Sequence, residues 1–553
     1  MSTTSTCVPA SADADCKATQ RTEAPLVLLG DEAVARGACD AGITAAYAYP
    51  GTPSTEILEY VMAQTGGRGR PIARWCANEK TAYEEAMGVA FAGKRALVAM
   101  KHVGLNVAAD PFMNSALVSV HGGLVLAVAD DPGMHSSQNE QDSRWYADFA
   151  RIICLEPANQ QEAYEMTREA FDLSERFRIP VMIRLVTRLA HSRAVVRVSE
   201  PRGENAAKMA PDISSWILLP SNAKRQWRDL LNKQPALSDY TLESAHNRLD
   251  LIEAERSFGV ITTGIARNYL LENLDDLAIR PSHLHIGAYP LPLDKVRVLA
   301  DHVKTLLVLE EGYPIVERLL RGIRHGQLLI LGKETGEVPA AGELTPDIVR
   351  QALGLTSHRG VDLPTLDLPS RPPQLCSGCP HGDSYDALKK ALLGFESPVV
   401  TSDIGCYTLG ALPPYSAIQT CVCMGASVSM ATGAAEAGCY PVLAVIGDST
   451  FVHSGVTPLM DAVSANTDMT LIILDNETVA MTGGQPSLLP TSRLAGLILG
   501  LGIDPDHFQV ISAHRRDTEK NAEIIRREIA HRGLSVIIAV RECIETAKKR
   551  KRG

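Results

Sequence analysis

Two oxygen-bearing side chains stand just past two apolar runs in the last quarter of this 553-residue chain. The run 442–446 stops at Gly447-Asp448-Ser449, and the run 469–474 stops at Asp475-Asn476. Short, largely apolar runs of this kind suit strands buried on both faces of a parallel sheet. The stretch 455–465 between them reads as a helix, which completes a βαβ unit. Ligands of open α/β sheets bind outside the C-terminal ends of the strands. Gly447 lets backbone approach a phosphate, and Asp448 and Asn476 are hard donors suited to Mg²⁺. Together they point to a diphosphate held through Mg²⁺.

The cysteines form a second group. There are twelve. Cys7 and Cys16 lie near the N-terminus, and Cys39, Cys76 and Cys154 are scattered; the rest follow residue 370. Cys376 and Cys379 frame Cys-Ser-Gly-Cys-Pro-His, Cys406 follows Asp403-Ile404-Gly405, and Cys543 follows the run 536–540. Each stands after a loop or a strand end, and a doubly wound sheet gathers such ends on one side. A Cys-x-x-Cys pair with two distant thiolates suits Zn²⁺ or an iron–sulfur cluster. Cys421, Cys423 and Cys439 read as buried packing residues, with Cys421 or Cys423 an alternative to Cys543 as fourth ligand.

Further candidates lie in the N-terminal third. Thr52, in Tyr49-Pro50-Gly51-Thr52-Pro53-Ser54, follows the run 45–49 and precedes a helix that Ser54 can cap. That place suits an anionic ligand. Glu79 stands in the first turn of an Ala- and Glu-rich helix, where a carboxylate favours the helix dipole. The strand 96–100 leads into Lys101-His102-Val103-Gly104, which makes His102 a substrate-pocket candidate. The strand 124–129 runs into Asp130-Asp131 and then the polar segment 135–142.

These residues need several α/β units to position them, because single cores rarely grow past ~250–300 residues. Residues 1–24 read as a disordered lead-in, without the charged and apolar regions of a signal peptide. A first domain covers 25–197, a helical linker 198–250, a second α/β domain 251–330, a connector 331–371, a last domain 372–547 and a basic tail 548–553. No apolar run reaches the ~18–20 residues of a membrane span, and a net charge of −10 argues against a general nucleic-acid binder. The cysteine pattern in so long a chain is not that of a disulfide framework, and the expectation is a cytoplasmic protein.

Gly-Asp-Ser followed after a gap by Asn at a strand end resembles the thiamine diphosphate signature. Asp475-Asn476-x-x-x-Ala480-Met481-Thr482-Gly483-Gly484, Tyr-Pro-Gly-Thr-Pro, Lys-His-Val-Gly-Leu-Asn and Ser-Ser-Gln-Asn-Glu-Gln-Asp extend the likeness. In this order they resemble the 2-oxoacid:ferredoxin oxidoreductases, and specifically the large-subunit family of the indolepyruvate enzymes, from residue 26 to residue 543.

The resemblance implies pyrimidine-binding-type, transketolase C-terminal-like and diphosphate-binding domains. Asp448, the Asn476 side chain and the Thr478 carbonyl are then Mg²⁺ ligands. Gly447, Ser449, Met481 and Thr482 belong to the cofactor site. Glu79 is the acid against the aminopyrimidine N1′, Thr52 and His102 position substrate, and segment 135–142 lines the site. Cys376, Cys379, Cys406 and Cys543 hold one [4Fe–4S] cluster. The activity implied is oxidative decarboxylation of a 2-oxoacid, with arylpyruvates such as indolepyruvate expected and branched-chain oxoacids or phenylglyoxylate left open. The acyl group passes to coenzyme A and the electrons to ferredoxin or another redox subunit. A small subunit is implied, in a hetero-oligomer containing a dimer of this chain.

One departure is the absence of the two Cys-x2-Cys-x2-Cys-x3-Cys-Pro runs of a C-terminal ferredoxin-like domain, which sends the electrons out through a partner. A non-oxidative decarboxylase or lyase would need Glu79 and the Mg²⁺ residues but not the four cysteines. A non-catalytic scaffold subunit would have no need of Glu79, Asp448 and Asn476.

Overall fold

The computed structural model describes residues 25–65, 69–323, 328–358, 360 and 373–552. The lead-in expected over 1–24 and most of the connector's end, 361–371, lie outside the described residues. Among the described residues, three sheets of five to seven strands carry the fold. The first has seven strands, six of them parallel, with Ile72–Trp75 and Ala45–Ala48 at one edge, then Ala96–Lys101, Leu124–Asp130, Val181–Val186 and Cys154–Leu155. The last sheet is five-stranded and wholly parallel, in the order Val399–Ser402, Val442–Gly447, Met469–Asp475, Leu534–Val540, Phe508–Ser512.

The last sheet is covered on both faces, and alternation along its strands shows why. Leu443, Val445, Ile472, Leu474, Ile537 and Ala539 enter one apolar core. Their neighbours Val442, Ala444, Ile446, Leu471, Ile473, Val536 and Ile538 enter the other. Successive side chains of a strand point to opposite faces, so an unbroken apolar run is what two covered faces demand.

The middle of the chain departs from the sequence reading. The expected helical linker, 198–250, contains helix Pro220–Glu243 but ends in a strand, Asn247–Asp250. That strand pairs antiparallel with Ser282–Ile286 at the edge of a five-stranded sheet, otherwise parallel. A two-residue strand, Ala288–Tyr289, leaves that unit and joins the first sheet antiparallel to Cys154–Leu155. One apolar core then runs through both sheets, from Leu28 to Val349.

Buried ions add to this join. Arg184, fully buried, donates to the Glu311 carbonyl of the middle unit at 3.1 Å, and Arg144 reaches Glu310 of that unit at 3.1 Å. The Tyr313 amide donates to Asp142 and its hydroxyl to the Glu140 carbonyl, so the middle unit pins segment 135–142. The basic stretch 548–552, expected as a tail, is the end of helix Ile544–Arg552, and Lys549 donates to the Gly483 carbonyl at 2.8 Å. Among the described residues no helix is long and apolar enough to cross a membrane.

Candidate active site

The C-terminal strand ends of the first and last sheets face one cavity of ≈ 400 Å³. From the first unit it is lined by Tyr49, Thr52, Glu79, Lys101, Gly104 and Asn139; from the last by His381, Cys406, Asp448, His453, Asn476 and Thr478. Gly447, Ser449, Met481 and Thr482 line it as well. Glu79, Lys101, Cys406, Asp448 and Asn476 reach it at or just after strand ends, while His381 stands at the start of helix Pro380–Ala391.

Glu79 opens the helix Glu79–Phe91, directly after the N-cap Asn78, whose side chain accepts from the Thr81 amide at 2.9 Å. Asn78 also donates to the His453 carbonyl at 3.0 Å, which ties the two units together. Glu79 is buried and hydrogen-bonded to His453 Nε2 at 2.8 Å. The Tyr49 ring meets the His453 ring edge-on at 4.6 Å. Gly104 leaves the room Glu79 needs, since a Cβ there would lie 2.5 Å from its Oε1.

His453 escaped the sequence reading for a local reason. The expected helix 455–465 in fact begins at Asp448, passes through a five-residue π turn, Phe451–Gly455, and continues as Val456–Ala465. π turns within helices gather at functional sites. Here the turn presents His453 to Glu79, a partner 374 residues away, which no local pattern reveals.

Asp448 is buried, and its Oδ2 has no hydrogen-bond partner. Burial, and then the charge of Asp475, pushes its carboxyl up to about 7. An orphaned carboxylate oxygen at a strand end is what a divalent cation would satisfy. Asn476 Oδ1 accepts from the Thr478 amide at 3.0 Å and keeps a second lone pair, while its Nδ2 lies 3.2 Å from His381 Nε2. Burial lowers His381 to about 4, so its imidazole is neutral. The residues present fit a diphosphate with Mg²⁺. Gly447 has a packing reason too: a Cβ there would meet the Tyr407 ring at 2.6 Å.

Two expectations need correction. His102 does not line the cavity; its ring is buried behind the wall, with Nε2 3.2 Å from the Asn139 carbonyl. As the first residue of helix His102–Val107 it turns inward, and Lys101, the last strand residue, faces the cavity instead. Burial brings the Lys101 amine down to about 8. Ser54 holds the N-cap position of helix Thr55–Gln64, but its hydroxyl donates to the Gly51 carbonyl at 2.7 Å rather than capping. Segment 135–142 contributes Ser136, Gln138 and Asn139 to the wall.

The cysteines converge in part. Cys406 is pushed up to about 12, first by burial and then by the thiols of Cys379, Cys543 and Cys376. Four thiols so placed ionise together only with a cation among them. A tetrahedral zinc with bonds of ~2.3 Å would draw the sulfurs to about 3.8 Å apart. Among the described residues, the one group of three or more His, Cys, Asp or Glu ligand atoms within 4.8 Å of one another contains no cysteine. A set of four such thiols can serve either a zinc ion or an iron–sulfur cluster. Cys421, Cys423 and Cys439, expected to be buried, are all exposed. Cys423 lines the cavity.

Two parallel-sheet units presenting an acid and an orphaned carboxylate to one cavity define a thiamine diphosphate-binding protein. Residues 403–539 match the family described as thiamine pyrophosphate enzyme, C-terminal TPP binding domain. Residues 36–213 match pyruvate flavodoxin/ferredoxin oxidoreductase, thiamine diP-bdg. The indolepyruvate oxidoreductase subunit IorA of Archaeoglobus fulgidus is 37% identical over 93% of this chain and 86% of its own length. That of Methanothermobacter marburgensis is 38% identical over 94% of this chain and 87% of its own. The chain belongs to this family of indolepyruvate oxidoreductase IorA subunits. A solved 2-oxoglutarate:ferredoxin oxidoreductase from Magnetococcus marinus, with 2-oxoglutarate, coenzyme A and succinyl-CoA bound, aligns with a TM-score of 0.48 at 16% identity, over 60% of this chain and 65% of that one.

Proposed function

We propose that the chain is the catalytic subunit of a thiamine diphosphate-dependent 2-oxoacid oxidoreductase acting on arylpyruvates such as indolepyruvate. The observation that carries this reading is the cavity itself, with Glu79 on one wall and the unpartnered Asp448 oxygen on the other. On this reading residues 25–197 act as the pyrimidine-binding-type domain, 251–330 as the transketolase C-terminal-like domain and 372–547 as the diphosphate domain.

Bound thiamine diphosphate supplies the electron sink that lets a 2-oxoacid lose CO₂. Asp448, Asn476 Oδ1 and the Thr478 carbonyl hold Mg²⁺, and Gly447, Ser449, Met481 and Thr482 complete the cofactor wall. Glu79 holds the proton for the aminopyrimidine N1′, and His453 keeps its carboxyl in place. Thr52 and Lys101 take the substrate carboxylate, with Lys101 charged up to pH about 8. His102 supports the wall through Asn139. Val103, Val107, Val422, Met424 and Met481 give the cavity an apolar side suited to an aryl group.

The net reaction is RCOCOO⁻ + CoA-SH → RCO-SCoA + CO₂ + H⁺ + 2e⁻. The two electrons must leave singly, and Cys376, Cys379, Cys406 and Cys543 would hold one [4Fe–4S] cluster that would supply this one-electron chemistry. A small subunit and ferredoxin or another redox partner then receive them, in a cytoplasmic hetero-oligomer. The test is metal and sulfide analysis after anaerobic purification. About four irons and four acid-labile sulfides per chain are expected. Zinc in their place, or neither metal, would turn the assignment to a non-oxidative decarboxylase.

A further inference from the structure

We propose that Asp31, Glu56 and His191 form a second cation site, separate from the thiamine diphosphate cavity, that takes a first-row divalent ion of the zinc or manganese kind. Three elements of the first unit meet there. Asp31 and Glu56 lie in the first turns of helices Gly30–Asp40 and Thr55–Gln64, and His191 ends the short helix Thr187–His191. One ligand atom from each lies within 4.8 Å of the other two. Gly30 brings these helices together: a Cβ there would sit 2.2 Å from the Leu189 carbonyl, so only glycine allows so close an approach.

The independent sign of a ligand is Asp31. It is fully buried, and neither of its carboxylate oxygens has a hydrogen-bond partner. Glu56 forms an ion pair with His191, Oε2 to Nε2 at 3.4 Å, which lowers the Glu56 carboxyl and raises the His191 imidazole; a cation would take the place of that proton-bearing contact. A buried, unpartnered carboxylate costs several kcal/mol as an ion. As an acid it would still have to donate its proton. A proton shared with Glu56 would close an O–H···O⁻ contact of about 2.5–2.7 Å, and Asp31 makes none. The neighbouring charges of Glu56 and Glu32 add to the effect of burial in opposing ionisation. A cation between the three groups removes all of these costs at once.

The donor set selects the ion. Two carboxylates and one imidazole suit Zn²⁺ or Mn²⁺, whereas Ca²⁺ prefers oxygens alone. Bonds of ~2.0–2.2 Å place neighbouring ligand atoms about 3–3.6 Å apart, inside the spacing observed. Glu56 and His191 side chains are 37% and 35% exposed, which leaves a way in for the ion and water to complete its shell. Such an ion would pin helix Thr55–Gln64, which directly follows the Tyr49–Thr52 stretch of the cavity wall.

The experiment is Mn²⁺ titration of the full chain, freed of thiamine diphosphate and Mg²⁺, with free Mn²⁺ counted by electron paramagnetic resonance and Zn²⁺ added as competitor. About one Mn²⁺ per chain, displaced by Zn²⁺ and retained in Asp448→Asn, is expected. His191→Ala, at a half-exposed position that tolerates truncation, should weaken binding by more than the ~10–100-fold that loss of a supporting partner costs. Asp31→Asn should do the same and lower the melting temperature gained with metal. Equal Mn²⁺ affinity in wild type and His191→Ala, no binding at millimolar Mn²⁺, or binding that disappears with Asp448 would each overturn the site. Either of the first two would leave a trapped water as the occupant.

Discussion

Gly104→Ala tests the acid without touching any group that does chemistry. Gly104 lies in the helix His102–Val107, so an alanine fits the backbone and adds ~0.5–1 kcal/mol of helix stability. Its Cβ, however, would lie 2.5 Å from Glu79 Oε1, 2.7 Å from Cγ and 2.8 Å from Cδ. Ordinary non-bonded separations are ~3.5 Å, so the carboxyl or the helix must give by about 1 Å. Overpacking of this kind costs ~1–3 kcal/mol, which roughly cancels the helix gain and leaves a folded protein. A reacting group displaced by ~1 Å loses about 10²-fold in rate. The assay is anaerobic 2-oxoacid turnover with a viologen dye, beside bound thiamine diphosphate and the melting temperature. Turnover should fall by about 10²-fold with cofactor content unchanged. Gly88→Ala, in the same helix as Glu79 with nothing within 4 Å of its Cβ, is the control and should keep full turnover. Turnover of Gly104→Ala equal to that control would refute the role assigned to the Glu79 carboxyl.

Other variants separate the remaining roles. Asp448→Ala should stay folded but lose thiamine diphosphate and Mg²⁺, because a charged ligand leaves a preformed site; unchanged cofactor content would remove it from that role. Glu79→Gln should bind cofactor yet turn over ~10²–10⁴-fold more slowly, and a near-normal rate would move the proton to another group. The kcat/KM for an anionic 2-oxoacid should fall above pH about 8, since rising pH strips the proton from Lys101 and with it the charge that meets the carboxylate. Lys101→Met should lower kcat/KM and erase that limb; a limb that survives would belong elsewhere. Cys406→Ser should sharply lower iron while thiamine diphosphate stays, whereas Cys439→Ser, at an exposed position, should leave iron intact.

The strands near the cavity were legible because both faces of their sheets are covered. Val442–Gly447 and Met469–Asp475 are buried along their whole length and mostly apolar, and such a run is visible in the sequence. The residues after those strands, Asp448 and Asn476, inherit their place from the topology. Asn247–Asp250 was not legible. As an edge strand of mixed character it has one covered flank and no unbroken apolar run. The exposed Cys421, Cys423 and Cys439 show the limit of residue type as a guide to burial: cysteine is among the most buried residues on average, but these three lie on loops, Cys423 at the cavity wall. His453 and Asp31 were missed for a shared reason. Each draws its meaning from partners on other elements, Glu79 for one and Glu56 and His191 for the other.

The most direct test of the central reading is the stoichiometry of electrons to CO₂. The anaerobic complex would be mixed with indolepyruvate, coenzyme A and excess viologen, and both dye reduction and CO₂ release followed. Two reduced viologens per CO₂, lost in Glu79→Gln and Asp448→Ala, is the predicted result. CO₂ release without dye reduction would contradict the oxidoreductase reading, and no CO₂ from any 2-oxoacid would contradict the catalytic one.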